Sequence, residues 1–293
     1  MSAKGADCWA QWLAERRYGG DEEVRARFDE RLAKRRDDVL DNGRLAAGET
    51  LLDIGCGEGL IGFGALARGA VEVIFSDISH DLLDVCREAA KELGVFERCR
   101  FVHLPAEELT AIPAQSVDIV TTRSVLIYVH DKRTALREFH RVLRPGGRIS
   151  LYEPINSFGM PETEGCFGAY DLTPLPAIAA KLKAVYDAIQ PPASDPMLDF
   201  DERTLLRISE DVGFYPVALR FEAEVRAVEP VPWDVYQDQA GNPRIPTLRE
   251  AMAEVLSADE QARLAAHLKP LVENGRGTWR MEHAYLFATK PAN

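Results

Sequence analysis

The chain has 293 residues, 46% of them hydrophobic, enough for the core of one large α/β domain or a smaller one with a sizeable insertion. Its 47 acidic residues outnumber 35 Lys and Arg, and a net charge of −12 argues against nucleic acid as the main partner, because phosphates recruit a basic face. There is no apolar signal core and no long uncharged run, so neither export nor a membrane span is expected. Five cysteines without a C-x-x-C spacing fit reduced thiols in a cytoplasm and no metal site.

In chain order, residues 1–44 read as helical. "CWAQWLAERRY" puts Trp9, Trp12 and Leu13 on one face, Gly19-Gly20-Asp21 breaks it, and a second helix over 21–41 carries Val24, Phe28, Leu32 and Val39. Five strands follow at 50–55, 71–78 ("VEVIFSDI"), 99–104, 116–124 and 147–154. Helical patterns lie between most of them. One runs from His80 to Leu93, capped by Ser79 or Asp81, and another from Asp131 to Arg144, stopped by Pro145-Gly146-Gly147. Strand and helix in alternation mean a doubly wound parallel sheet. Residues 155–199 then hold six prolines around one helix, 177–189, and read as an insertion. A helix at 201–212 and a strand at 215–225 resume the pattern. Residues 227–277 form a second insertion, in which Ser257 to Glu260 is a capping box, and 278–290 close the sheet.

Parallel sheets bind ligands at the carboxyl ends of their strands, where the glycine loop of "LLDIGCGEGLIGFGAL" (51–66) must lie. A dinucleotide loop is one reading, since "GEGLIG" can be framed from Gly57. Asp53 before the glycines and Glu58 among them would repel a pyrophosphate. They suit a ligand that carries positive charge.

"LLDIGCGEG" resembles the first motif of the class I S-adenosylmethionine-dependent methyltransferases. The resemblance runs through residues 48–154, with weaker support at 201–225 and 278–290. "VIFSDIS" is similar to the second motif and "FVHLPAEEL" to the third. "VDIVTTRSVLIYV" and "ALREFHRVLRPGGRISLYEP" resemble the small-molecule branch. The resemblance implies a Rossmann-like, mainly parallel seven-stranded sheet with an antiparallel last strand. It also implies S-adenosyl-L-methionine as methyl donor, S-adenosyl-L-homocysteine as product, and a small organic acceptor. By the same resemblance, Asp53 orders the loop or reaches the methionine ammonium through water. Gly55, Cys56 and Gly57 pass under the methionine and ribose. Asp77 accepts from the ribose hydroxyls, the alternative being a helix cap, and Ile78 packs on the adenine. Pro105 stands where an Asp is common, so Glu107 or the Ala106 backbone takes the adenine amino group. Arg123 offers its carbonyl to the ammonium. An N-terminal helix over the cofactor would bring Arg17 or Tyr18 to the methionine carboxylate; the alternative is a packed helix with a solvated Arg17.

Methyl transfer needs a base only where the accepting atom must lose a proton. The candidates beyond the fourth and fifth strands are Tyr128, His130, Glu153 and Asn156, with His130 preferred as the base. His130 is also readable as an exposed helix start, Tyr128 as packing, and Glu153 as a strand terminator. The expected organisation is a helical cap at 1–44 and a methyltransferase domain at 45–293, with the insertions at 155–199 and 227–277 as an acceptor-side lid. Phe158, Met160, Phe167, Tyr170, Trp233 and Tyr236 line the acceptor or form the insertions' own small cores. A subunit contact through these segments, and so a homodimer, stays open. The rival functions are a methyltransferase-like binder that catalyses another reaction or regulates, and an NAD-dependent oxidoreductase.

Overall fold

The structure is a computed structural model and describes residues 7–159 and 165–292. Met160 and the rest of 160–164 lie outside the described residues, as do residues 1–6 and the Phe158 side chain. The chain begins with α1 (Cys8–Gln11), capped by Asp7, whose carboxylate accepts from the Trp9 and Ala10 amides at 3.0 Å. It continues as a π-helical turn, Trp12–Arg16, and ends at Gly19 and Gly20, both with positive φ. There follow α2 (Glu22–Asn42), β1 (Thr50–Ile54), α3 (Leu60–Ala67), β2 (Glu72–Asp77), α4 (His80–Glu92), β3 (Cys99–His103), β4 (Val117–Arg123), α5 (Lys132–Val142) and β5 (Leu143–Pro154). Next come α6 (Asn156–Gly159), the ribbon strands β6 (Cys166–Phe167) and β7 (Tyr170–Asp171), α7 (Pro176–Ile189), α8 (Glu202–Val212) and β8 (Val217–Ala227). The last elements are α9 (Trp233–Asp238), α10 (Leu248–Val255), α11 (Ala258–Glu273) and β9 (Thr278–Thr289).

The main sheet has seven strands in the order β3-β2-β1-β4-β5-β9-β8. The pairs β1–β2, β1–β4, β2–β3 and β4–β5 are parallel, and β9 runs antiparallel to β5. The order reverses between β1 and β4, which is the switch point at which such sheets take ligands.

By contacts the chain divides into two compact units. One unit comprises 1–28, 156–199 and 223–282, and the other 29–155, 200–222 and 283–293. Helix α2 belongs to both. Its Val24 belongs with the first unit, whereas Val39 and Leu40, almost fully buried, join the core of the sheet unit.

The sheet unit buries Leu51, Val73, Phe75 and Ile119 with Ile61 and Ala65 of α3 and Leu83 and Cys86 of α4. Each fully buried side chain of this kind contributes about 1.5–3 kcal/mol relative to exposure. Helix α5 ends at Val142, earlier than the expected Arg144, and β5 starts at Leu143 rather than 147. The reason is a bulge: Val117 pairs Leu143, the register shifts, and Ile119 then pairs Arg148, so Pro145 to Gly147 lie inside the strand.

In the other unit the two insertions share one core. Tyr170, Leu172, Ile178 and Leu182 pack with Trp233, Leu248, Met252, Leu264 and Leu268. Tyr170 and Trp233 are therefore core residues, while Phe167 and Tyr236 are half-buried against them. Two capping boxes start helices here, Ser257 with Glu260 as expected and also Thr247 with Glu250. Trp12 is half-buried and its indole N–H donates to the Ala240 carbonyl at 2.7 Å. Among the described residues no helix is long and apolar enough to cross a membrane.

Candidate active site

Four loops leave the carboxyl ends of β1, β2, β3 and β4, and their register brings the named residues level. Ile54 pairs Ser76, Asp77 pairs His103, and Arg123 pairs Tyr152. The glycine loop turns first. Gly55 has φ +60°, and a Cβ there would come within 2.4 Å of Val125 Cγ2, so glycine is required on both conformational and steric grounds. The Cys56 amide donates to the Ser76 carbonyl at 3.0 Å, and Cys56 itself is buried.

Asp53 is 2% exposed and holds this loop from below. Its carboxylate accepts from the Gly62 amide at 2.9 Å and from the Thr121 hydroxyl at 3.0 Å. Burial pushes its pKa up to about 7, against the opposing pull of Thr121, Gly62 and the Arg123 guanidinium. Of the two expected roles, ordering the loop is the one these bonds perform. Gly62 is also where α3 touches the sheet, since a Cβ there would fall 2.3 Å from the Phe75 ring.

Asp77 ends β2 and is 6% exposed. One carboxylate oxygen accepts from the Gly57 amide and the other from the Ser79 amide, both at 2.9 Å. The alternative of Asp77 as a helix cap is corrected here: Ser79 is the cap of α4, its hydroxyl accepting from the Leu82 amide at 3.0 Å. Ile78 is 49% exposed beside it. Sequence reasoning passed over His103, whose Nε2 lies 2.8 Å from the Ile78 carbonyl oxygen and whose ring stacks on His80 at 3.7 Å. Its place opposite Asp77 at the end of β3 was the available signal. Ala106 is buried and Glu107 half-buried in the turn after β3. A bond from the Leu104 amide to the Asp77 carbonyl, 3.2 Å, ties that turn to β2.

Beyond β4, Arg123 is half-buried; burial raises the pKa of both Asp53 and Tyr152, and the Arg123 charge partly opposes that rise in each. Tyr128, half-buried, ends a 3₁₀ turn, Leu126–Tyr128. His130 is exposed and directly precedes Asp131, the cap of α5, in keeping with the helix-start reading.

Glu153 departs from its expected place as a strand-end acid facing the ligand. It is fully buried and turned onto the loop after β4. It accepts from the Thr122 hydroxyl at 2.7 Å, from the Val125 amide at 3.1 and 3.2 Å, and from the Ile127 amide at 3.4 Å. Burial raises its pKa to about 7, opposed by those donors. The reason for the difference is local: a loop that turns at Ser124, with φ +58°, directs its amides at the strand beside it.

Arg17 and Tyr18 belong to the other unit. Tyr18 is 3% exposed, edge-on to Phe28 at 5.4 Å, and the Arg17 guanidinium lies 5.2 Å from the Trp12 ring and 5.4 Å from that of Tyr18. Arg17 is therefore packed on aromatic rings.

The residues at the strand ends fit a nucleoside with a positively charged tail. Gly55 opens the loop with a positive φ and is backed by Val125, an acid stands at the end of β2, and an exposed apolar side chain follows it. A methyltransferase domain model matches residues 52–151. The ubiquinone/menaquinone biosynthesis C-methyltransferase UbiE of Escherichia coli is 31% identical over 184 residues, covering 61% of this chain and 71% of that enzyme. Among solved structures, geranyl diphosphate C-methyltransferase from Streptomyces coelicolor, in complex with Mg2+, geranyl diphosphate and S-adenosyl-L-homocysteine, superposes with a TM-score of 0.51. It is 16% identical, over 88% of this chain and 77% of that one. The [4+2]-cyclase SpnF superposes at 0.53 with 20% identity, over 89% and 82%. At these identities the two structures attest the fold alone. Motif, sheet and sequence relative together identify the chain as a member of the class I S-adenosylmethionine-dependent methyltransferases, an enzyme of their small-molecule branch.

Proposed function

We propose that the enzyme methylates an apolar, ring-bearing small molecule, with carbon, nitrogen or oxygen as the accepting atom. The observation that carries the cofactor half is the Asp77 carboxylate, which closes on the Gly57 amide and so fixes an acid beside the glycine loop. In this reading Asp77 accepts from the ribose hydroxyls and Ile78 covers one adenine face. Ala106 and Glu107 meet the adenine edge, residues 55–57 run under the methionine part, and the Arg123 carbonyl takes the ammonium. When bound, the cofactor supplies an electrophilic methyl on a good leaving group, so much of the rate is available from orientation alone.

The chain's own residues then have to orient the acceptor and, for an acidic O–H, N–H or C–H, remove a proton. His130 and Tyr128, both after β4, are the candidates. Glu153 is committed to backbone donors and is not among them. The acceptor class is supported by the relative that works in ubiquinone and menaquinone biosynthesis.

The test is incubation with methyl-labelled S-adenosylmethionine and a panel of phenols, quinols, isoprenoids and small amines. Label should pass to one class, with equimolar release of S-adenosylhomocysteine. Cofactor binding without transfer to any class would instead favour another reaction on this fold, of which the [4+2]-cyclase is an example.

A further inference from the structure

We propose that Glu153 is a positioning residue for the cofactor, acting through Val125 on Gly55. A carboxylate with no exposure is costly to bury, and this one is retained with donors from three residues, all on one short segment, Thr122 to Ile127. The neighbouring residue of β5 holds the same segment, because the Ser124 amide donates to the Tyr152 carbonyl at 2.8 Å. Two successive residues of β5 thus clamp two successive residues of the loop, across a left-handed backbone at Ser124 that a free loop would leave.

What the clamp fixes is the Val125 side chain. Its Cγ2 occupies the space in which a Gly55 Cβ would sit, with Cγ1 and Cβ beside it. Gly55 opens the glycine loop, and the same loop is bonded at Gly57 to Asp77. A continuous path therefore runs from the end of β5 through the β4 loop to the residues that seat the nucleoside. Glu153 touches neither cofactor nor acceptor in this role. It sets how firmly Val125 backs the glycine loop.

The inference rests on the reading of that loop as the cofactor seat, so wild-type binding of S-adenosylhomocysteine is measured first. Absence of that binding would overturn both readings. Given binding, Glu153→Met keeps the volume and removes both acceptor oxygens. Its dissociation constant should rise about tenfold, the scale of leaving buried donors unpaired. Glu153→Gln can still accept from Val125 and Ile127 through its oxygen while its amide donates to Thr122, and should bind within about threefold of wild type. Val125→Ala leaves the Glu153 bonds in place and is the safeguard should Glu153→Met fail to fold; it should also weaken binding, by about threefold. The double variant, Glu153→Met with Val125→Ala, should bind more tightly than the product of the two single effects requires, because both act on one contact. Unchanged binding in Glu153→Met beside a lowered melting temperature, unchanged binding in Val125→Ala, or strictly multiplicative effects would each overturn the inference.

Discussion

Asp77 accepts from the Gly57 amide at 2.9 Å, so the acid that ends β2 and the glycine loop that follows β1 form one hydrogen-bonded piece. Two residues separated by twenty positions are made adjacent by the parallel pairing of β1 with β2. The carboxylate that the family resemblance assigns to the ribose therefore also shapes the loop, and its removal has two consequences.

Asp77→Ala should weaken S-adenosylhomocysteine binding by about 1.5–3 kcal/mol, the scale of charge-assisted hydrogen bonds. It should also lower unfolding free energy by about 1–3 kcal/mol, because the Gly57 and Ser79 amides lose their acceptor. Calorimetry and urea denaturation read the two effects separately. A variant as stable as wild type would show that these amides find other partners.

Gly62→Ala is expected to destabilise by about 1–3 kcal/mol, since the added methyl meets the buried Phe75 ring at 2.3 Å and the core has no room to yield. The shift in denaturation midpoint checks it. Gly94→Ala is a useful contrast: its Cβ meets nothing within 4 Å, and its φ of +67° is the only source of strain.

Asp53 and Glu153 make a pH prediction. Burial lifts both to about 7 in the folded protein, above the roughly 4 of an unfolded carboxyl. Between pH 4 and 7 the folded state then binds more protons than the unfolded state, so the slope of unfolding free energy with pH from these groups is negative. Their contribution is fully present below about pH 4 and is lost as pH rises through 7. Asp53 also faces Arg123, which lowers its pKa, and Asp77, which raises it. Asp53→Asn can keep both bonds, accepting from Gly62 and donating to Thr121. It should match wild type near pH 4 and exceed it at pH 8 by on the order of 2–4 kcal/mol. Equal stability at both pH values would contradict the burial argument.

His130→Ala should leave stability within about 0.5 kcal/mol, because the side chain is exposed ahead of the α5 cap. If His130 takes the acceptor's proton, kcat falls about a hundredfold or more while cofactor binding is unchanged. An unchanged kcat would hand the role to Tyr128 or leave the transfer without a base.

Thr247→Ala should cost about 1 kcal/mol, because this residue caps α10 in a reciprocal box with Glu250. Thermal or chemical unfolding of the full chain checks it.

The contrast between what was and was not legible in the sequence follows physical lines. The inner strands β1, β2 and β4 are largely buried and bounded by turns, and the expected strand limits lie within a few residues of those observed; β5 is the exception, because a bulge absorbs Pro145 to Gly147. Gly55 and Asp77 are legible as candidates because a glycine loop followed by a strand-end acid has a local signature in the sequence. Thr121, Val125 and the burial of Glu153 have none. Asp53 meets Thr121 across 68 positions and Glu153 meets Val125 across 28, and only strand register sets such partners. Within the second insertion α9 and α10 were missed, although Thr247-x-x-Glu250 carries the same capping signature that was read at Ser257. Helix α2 is one continuous helix that belongs to both compact units, and helical periodicity does not mark such a division.

The central claim is that the loop after β1 seats a sulfonium nucleoside and not a dinucleotide. Calorimetric titration of the wild-type chain with S-adenosylhomocysteine, and in parallel with NADH, tests it most directly. The account predicts one saturable site for S-adenosylhomocysteine and no comparable heat from NADH. Tight NADH binding with no response to S-adenosylhomocysteine would contradict it.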